Sequence, residues 1–255
     1  KLRDVIASQQ LELYVQPQIS SDQQYVGMEA LLRWHDPVEG FISPVDFIPV
    51  AESSGLIIPL GAWVLREACQ ILADWAMIPE MQNLTLSVNI SPRQFRHIQF
   101  IDYIDSCLKE FDVNPNHLEL EITESLLIED IDQTIERMNA LRQRGLRFAL
   151  DDFGTGYASL SYLKLLPLNK LKIDQSFVRD VLTDPNDEAI VSTIIALGQS
   201  LDLAVIAEGV ETEEQAVLLE KFGCHVYQGY HFGKPAPVAD WQQTISEIRL
   251  AHKTH

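Results

Sequence analysis

The side chains best suited to chemistry in this sequence are acids far apart along the chain. They are Glu29, Glu121, Asp151, Asp152 and Glu208, joined by the amide oxygen of Asn89. All are hard oxygen donors, and such a set suits Mg2+ or Mn2+ better than Zn2+, which prefers Cys and His. The histidines support that choice by position. His117 falls at the start of an expected strand, His97 and His225 at helix or strand beginnings, and His252 and His255 in the tail. Asp151, immediately beside Asp152, is the natural carboxylate for two ions to share. A pair of ions bridged in this way can activate water and clamp a phosphoryl group, which is two-metal hydrolysis.

These groups need a frame that gathers them. Short β-rich runs alternate with longer amphipathic segments about every 30 residues, the rhythm of βα units around a parallel sheet. Strands are expected at Leu11–Gln16, Tyr25–Leu32, Leu84–Ile90, His117–Ile122, Arg147–Asp152, Asn169–Ile173, Ala204–Ala207 and His225–Gly229. Helices are expected at Ala62–Ala76, Ile131–Arg144 and Glu188–Ser200, with Gly145, Gly198 and Gly223 as left-handed caps at or near helix ends. Eight strands in 255 residues predict an α/β fold of the TIM-type (β/α)8 barrel kind. The first two strands are too close for a helical crossover, so the first should run antiparallel. An open doubly wound sheet is the alternative, although no Gly-rich phosphate loop follows the first strand.

Barrel active sites form at the C-terminal ends of the strands. Those ends deliver Glu29, Asn89, Glu121 with Glu124, the Asp151–Asp152 pair, Lys172 with Asp174, Glu208 with Glu211, and Gln228. Any one has an ordinary explanation as a helix cap, a surface charge or a satisfied loop residue. The ensemble does not. Two carboxylates about 4 Å apart repel by roughly 1 to 4 kcal/mol at effective dielectrics of 80 to 20, so five converging acids call for cations.

The chain carries 37 acidic and 19 basic residues, a formal charge of −18. That charge argues against broad contact with DNA or RNA, though not against a small anion held by metals. An apolar share of 46% with 22% charged excludes disorder. Gly55–Leu65, the longest nearly uncharged stretch, is about half a membrane span and is interrupted by Pro59, so no transmembrane helix is expected. Cys69, Cys107 and Cys224 read as buried thiols of a reducing compartment. No signal pattern is present, so a cytoplasmic domain is expected. It reads as a single domain, residues 1–255, cut from a longer signalling chain whose membrane attachment stays open.

Several blocks together resemble the EAL domains, the bacterial cyclic di-GMP phosphodiesterases. They are Glu29-Ala30-Leu31-Leu32-Arg33-Trp34, Asn89-Ile90-Ser91-Pro92-Arg93-Gln94, Glu119-Leu120-Glu121-Ile122-Thr123-Glu124 and Asp151-Asp152-Phe153-Gly154-Thr155-Gly156-Tyr157. Lys172-Ile173-Asp174, Ala207-Glu208-Gly209-Val210-Glu211-Thr212 and Gln228-Gly229-Tyr230 complete the set, in family order from Leu11 to Pro237. The resemblance implies a barrel with an antiparallel first strand and hydrolysis of cyclic di-GMP to linear pGpG. It implies Glu29, Asn89, Glu121 and Asp151 as ligands of one Mg2+ or Mn2+, and Asp151 and Asp152, helped by Glu208, as ligands of a second. Calcium is then expected to inhibit. Lys172 resembles the lysine that contacts the attacking water, with Glu208 as candidate base and Glu211 and Asp174 orienting these groups. Gln16 and Gln228 resemble positions that meet a guanine, Gln94 less so, and Arg33 is placed for a substrate phosphate. Glu124 resembles the anchor of the loop after the fifth strand, which leads to a surface used for homodimerisation. Sensory or diguanylate cyclase domains are expected elsewhere in the full chain.

Two other readings stay open. A catalytically silent cyclic di-GMP receptor would bind without turnover. A glycoside hydrolase would also place paired carboxylates on a barrel rim, but it explains neither Lys172 nor the number of acids.

Overall fold

The computed structural model describes residues 2–6, 10–127, 130–154 and 160–252. Its strands are β1 (Leu11–Ser20), β2 (Tyr25–Asp36), β3 (Gly40–Ile42), β4 (Thr85–Asn89), β5 (Leu118–Thr123), β6 (Arg147–Phe153), β7 (Lys170–Ile173), β8 (Ala204–Ala207), β9 (Val226–Tyr227) and β10 (Ala236–Pro237). The helices are α1 (Leu2–Ile6), α2 (Pro44–Ser54), α3 (Ile57–Ala76), α4 (Pro92–Phe95), α5 (Phe100–Glu110) and α6 (Ile131–Arg142). After these come α7 (Leu160–Leu163), α8 (Gln175–Arg179), α9 (Pro185–Ser200), α10 (Glu213–Phe222) and α11 (Val238–His252).

The ring β1–β2–β4–β5–β6–β7–β8–β9 closes back on β1. Strand β1 is antiparallel to both of its ring neighbours, while the steps from β2 to β9 are parallel. This is a barrel with a reversed first strand, and closure removes the open sheet as an alternative. Strand β1 runs on to Ser20 rather than ending at Gln16, so residues 21–24 alone turn the chain, with Gln23 at φ 62°. No helix fits in that space. Strands β3 and β10 lie outside the ring, on β2 and β1.

Alternation along the strands sorts the side chains. In β5, Leu118, Leu120 and Ile122 join the apolar layer beneath the helices, with Leu86 and Val88 of β4, Phe148 and Leu150 of β6, and Leu171 and Ile173 of β7. The other face of β5 carries Glu119 and Glu121, which are also buried. Apolar packing therefore lies between barrel and helices, and the barrel interior is polar. Replacing Leu120 by Ala would cost about 2–5 kcal/mol through the cavity it leaves.

Two local expectations are corrected. Pro59 does not interrupt the apolar stretch, because it falls in the first turn of α3, where its missing N–H has no helical partner to lose. Gly198 is not a cap. It lies within α9, where a Cβ would stand 2.3 Å from Val205 Cγ2, so the glycine permits close packing on β8. Gly145 and Gly223 do take positive φ beyond α6 and at the end of α10. The cysteines are free and buried. Among the described residues no helix is long and apolar enough to cross a membrane.

Candidate active site

Strand β7 aims Lys172 into the barrel mouth, where its side chain is 1% exposed. Its ammonium stands 2.6 Å from Glu121 Oε2, 2.7 Å from Glu208 Oε1, 3.1 Å from Asp151 Oδ1 and 3.6 Å from Glu29 Oε2. Burial pushes the Lys172 pKa down, but the four carboxylates together outweigh it and hold the group well above its ordinary value. The acids repel one another around this charge. Burial, then the charge of Glu29, keeps Glu121 well above the usual carboxylate range. Burial raises Glu208 to about 8 against the opposing pull of Lys172.

Neighbouring strand residues normally face opposite sides of a sheet, so Asp151 and Asp152 should diverge. They converge because β6 carries an irregularity between Leu150 and Phe153, and Asp152 takes the left-handed φ of 52°. A non-glycine residue in that conformation marks a strained position held by its surroundings. As a result, one oxygen each from Asp151, Asp152 and Glu208 lie within 4.8 Å of one another. Burial, followed by the charges of Asp151 and Asp174, raises Asp152 to about 6.

An amide relay fixes Glu29. Register pairs it with Gln16 of β1. Gln228 Nε2 donates to Glu29 Oε2 and, at 3.2 Å, to Gln16 Oε1, while Gln228 Oε1 accepts from Gln18 Nε2 at 3.2 Å. Asn89 Nδ2 donates to Glu29 Oε1 at 2.7 Å, which leaves the Asn89 carbonyl oxygen as its donor to a cation. Burial raises Glu29, but Lys172 and the amides of Gln228 and Asn89 together bring it below the usual carboxylate range.

Two cavities flank the ring. One, about 390 Å³, is lined by Gln16, Glu29, Asp151, Glu208, Glu211 and Tyr230. The other, about 350 Å³, has an apolar wall of Ile57, Leu60 and Val64 from α3 and is also lined by Arg33, Asn89 and Gln94. Arg33 stands 5.4 Å from the Tyr14 ring and donates to its neighbour's carbonyl, Leu32 O; among the described residues it makes no ion pair. Among the described residues its guanidinium therefore has no ion-paired carboxylate to give up on meeting a phosphate. Glu211 is exposed on the cleft wall. Asp174 caps α8, accepting from Ser176 N at 2.9 Å. Glu124 Oε1 accepts from Gly154 N at 2.9 Å, at the start of the expected loop; residues 155–159 of that loop lie outside the described ones.

The residues fit divalent cations. The donors are carboxylate and amide oxygens, and Glu121 Oε1 is buried without a hydrogen-bond partner. Converging carboxylate oxygens, such as those of Asp151, Asp152 and Glu208 within 4.8 Å of one another, are what a hard cation satisfies.

Sequence reasoning missed the tier beneath the ring. Gln18 is fully buried, and Lys170 Nζ stands 2.8 Å from Glu119 Oε1, which also accepts from Ser87 Oγ at 2.9 Å. The signal was present as period two: Gln18 follows Gln16, Glu119 precedes Glu121, and Lys170 precedes Lys172. Tyr230 on the cleft lip was likewise not singled out.

Comparison with known proteins gives the family. Among relatives of Pseudomonas aeruginosa, the bifunctional diguanylate cyclase/cyclic di-GMP phosphodiesterase MucR is 42% identical over 237 residues, 92% of this chain and 34% of its own length. The cyclic di-GMP phosphodiesterase NbdA of the same organism is 39% identical over 251 residues, 98% of this chain and 32% of its own. The chain thus spans about a third of the length of these curated relatives. A solved structure described as the PaMucR phosphodiesterase in its c-di-GMP complex superposes with a TM-score of 0.91 at 41% identity, covering 94% of this chain and 97% of that one. The family model for the EAL domain matches residues 1–235, and with the closed barrel and its ring of acids this chain belongs to the EAL domain family.

Proposed function

We propose that this chain hydrolyses one phosphodiester bond of cyclic di-GMP and releases linear pGpG. The observation that carries the reading is Lys172, an ammonium ringed by four carboxylates, of which Glu121 keeps a buried oxygen without a hydrogen-bond partner. Names borne by relatives support the substrate. Two divalent ions, Mg2+ or Mn2+, held by Glu29, Asn89, Glu121 and Asp151 and by Asp151, Asp152 and Glu208, would supply the positive charge that makes water acidic and neutralises the phosphoryl oxygens.

The chain's own residues do the rest. Lys172 holds the attacking water by its ammonium and orients it toward phosphorus. Glu208, whose Oε1 stands 2.7 Å from the Lys172 ammonium, accepts the water's proton. Arg33 binds a phosphate oxygen pair with its guanidinium. Gln16 and Gln228 line the cleft where a guanine edge would meet them, and Gln228 also steadies Glu29. Glu211 orients groups at the cleft wall, and Asp174 sets the start of α8 beside Asp152. Glu124 ties the loop after β6 to this centre, a route by which dimerisation or an attached sensory or cyclase domain controls it. Calcium, larger and less demanding in geometry, should occupy the ring and inhibit.

The test is incubation of the purified chain with cyclic di-GMP and Mg2+, followed by chromatography. Accumulation of pGpG is expected. Stoichiometric binding with no product would replace the enzyme by a receptor.

A further inference from the structure

Two ion pairs of the same composition lie one above the other inside the barrel. In the upper, Lys172 Nζ stands 2.6 Å from Glu121 Oε2; in the lower, Lys170 Nζ stands 2.8 Å from Glu119 Oε1. The lysines are two residues apart on β7 and the glutamates two apart on β5, so all four share the inward face. Both pairs reach across β6 beside Ala149, whose side chain is too small to separate them, while Asp151, two residues on, joins the upper pair at Lys172.

Register gives the lower pair a consequence for the upper. Ala149 is level with Glu121 on one side and with Lys170 on the other. Lys170 therefore starts level with Glu121, yet its ammonium is turned toward the opposite mouth of the barrel, onto Glu119. Glu119 holds it there with the oxygen that also accepts from Ser87, and its second oxygen is buried without a partner. A buried ion pair with an unsatisfied oxygen is a poor source of stability, and an apolar pair of similar shape would serve packing better. Its place calls for a role in the tier above.

We propose that Glu119 is a holding counter-ion for Lys170, keeping that ammonium off Glu121 so that Glu121 pairs with Lys172 and retains an oxygen for a metal. This makes Glu119 a positioning residue, and it rests on the phosphodiesterase reading of Glu121 and Lys172. If the Glu119 charge is removed, Lys170 is left as a largely buried cation beside a carboxylate at its own level. An unpaired ammonium in such a place takes the available carboxylate. Lys170 and Lys172 then compete for Glu121.

Three variants test this: Glu119→Gln, Lys170→Met and the double variant. Glu119→Gln should lower kcat by about 10- to 100-fold, the range for residues that orient metal ligands, with KM for cyclic di-GMP unchanged. Adding Lys170→Met should return kcat to near the parent value, since no ammonium is left to move. A crystal structure of Glu119→Gln should show Lys170 Nζ in contact with Glu121. Parental kcat in Glu119→Gln, a double variant as slow as the single, or Lys170 remaining away from Glu121 would each overturn the proposal. Should Glu119→Gln fail to fold, the double variant decides: folded and active supports the holding role, while slow or unfolded contradicts it. The crystallographic readout needs no turnover, so an inactive parent would count against the phosphodiesterase reading and leave the position of Lys170 measured separately.

Discussion

Lys172 and Glu121, 51 positions apart in sequence, meet at 2.6 Å across β6 in the buried mouth of the barrel. The lysine is the counter-charge that lets Glu29, Glu121, Asp151 and Glu208 stand together. Lys172→Met should therefore act on both chemistry and folding. Turnover should fall by about 10²- to 10³-fold, as for loss of a positioned group that stabilises the reacting centre. Thermal melting in chelator should drop, and Mn2+ should raise it more than in the parent. Turnover within a few-fold of the parent would remove Lys172 from the mechanism.

Asp151 is assigned to both ions, so Asp151→Asn should be the most damaging change among the acids. The amide is close in shape but has lost its charge. Product formation should fall below about a hundredth of the parent rate, and calorimetry should show weakened Mn2+ binding at both sites. Undiminished activity would refute the shared carboxylate.

Arg33 is half-buried and without a carboxylate partner among the described residues, which suits a group awaiting an anion. Arg33→Ala should raise KM for cyclic di-GMP by about tenfold or more, the worth of one charged hydrogen bond, with a smaller effect on kcat. Steady-state kinetics separate the two constants. An unchanged KM would take Arg33 out of the phosphate site.

The raised carboxyls give a pH signature. Glu208, at about 8 in the folded chain, and Asp152, at about 6, lie above their ordinary values of 4.5 and 3.8. The folded protein thus keeps protons that the unfolded chain releases, so its stability falls as pH rises between about 4 and 8 and levels off above. In chelator, melting temperature should decline across that interval, and Glu208→Gln should remove much of the decline. Mg2+ must displace the same protons, so its affinity should rise with pH over the same range. A melting temperature that climbs from pH 5 to 8 would contradict the electrostatics of the ring.

Much of this was legible because strand periodicity and strand ends are local signals. The alternation in Leu118-Glu119-Leu120-Glu121-Ile122 shows a two-faced strand, and the short step from β1 to β2 shows the reversal. What the alternation does not say is which face is the barrel's inside; the apolar faces went outward to the helices, which hid the roles of Glu119, Lys170 and Gln18. The convergence of Asp151 and Asp152 depends on a bulge and a left-handed backbone that no residue type announces. Strands β3 and β10 were missed because three residues and two residues carry no readable period. Gln228 was noticed for a ligand edge, whereas its bonds to Gln16, Gln18 and Glu29 appear only once β9 closes on β1.

The central claim is that the oxygens around Lys172 gather two divalent ions with the substrate. Anomalous diffraction from a crystal grown at about pH 8 with Mn2+ and a non-hydrolysable analogue of cyclic di-GMP measures it directly. Two peaks are expected, one among Glu29, Asn89, Glu121 and Asp151 and one beside Asp151 and Asp152. A map with nucleotide in the cleft and no peak within reach of Asp151 would contradict the account.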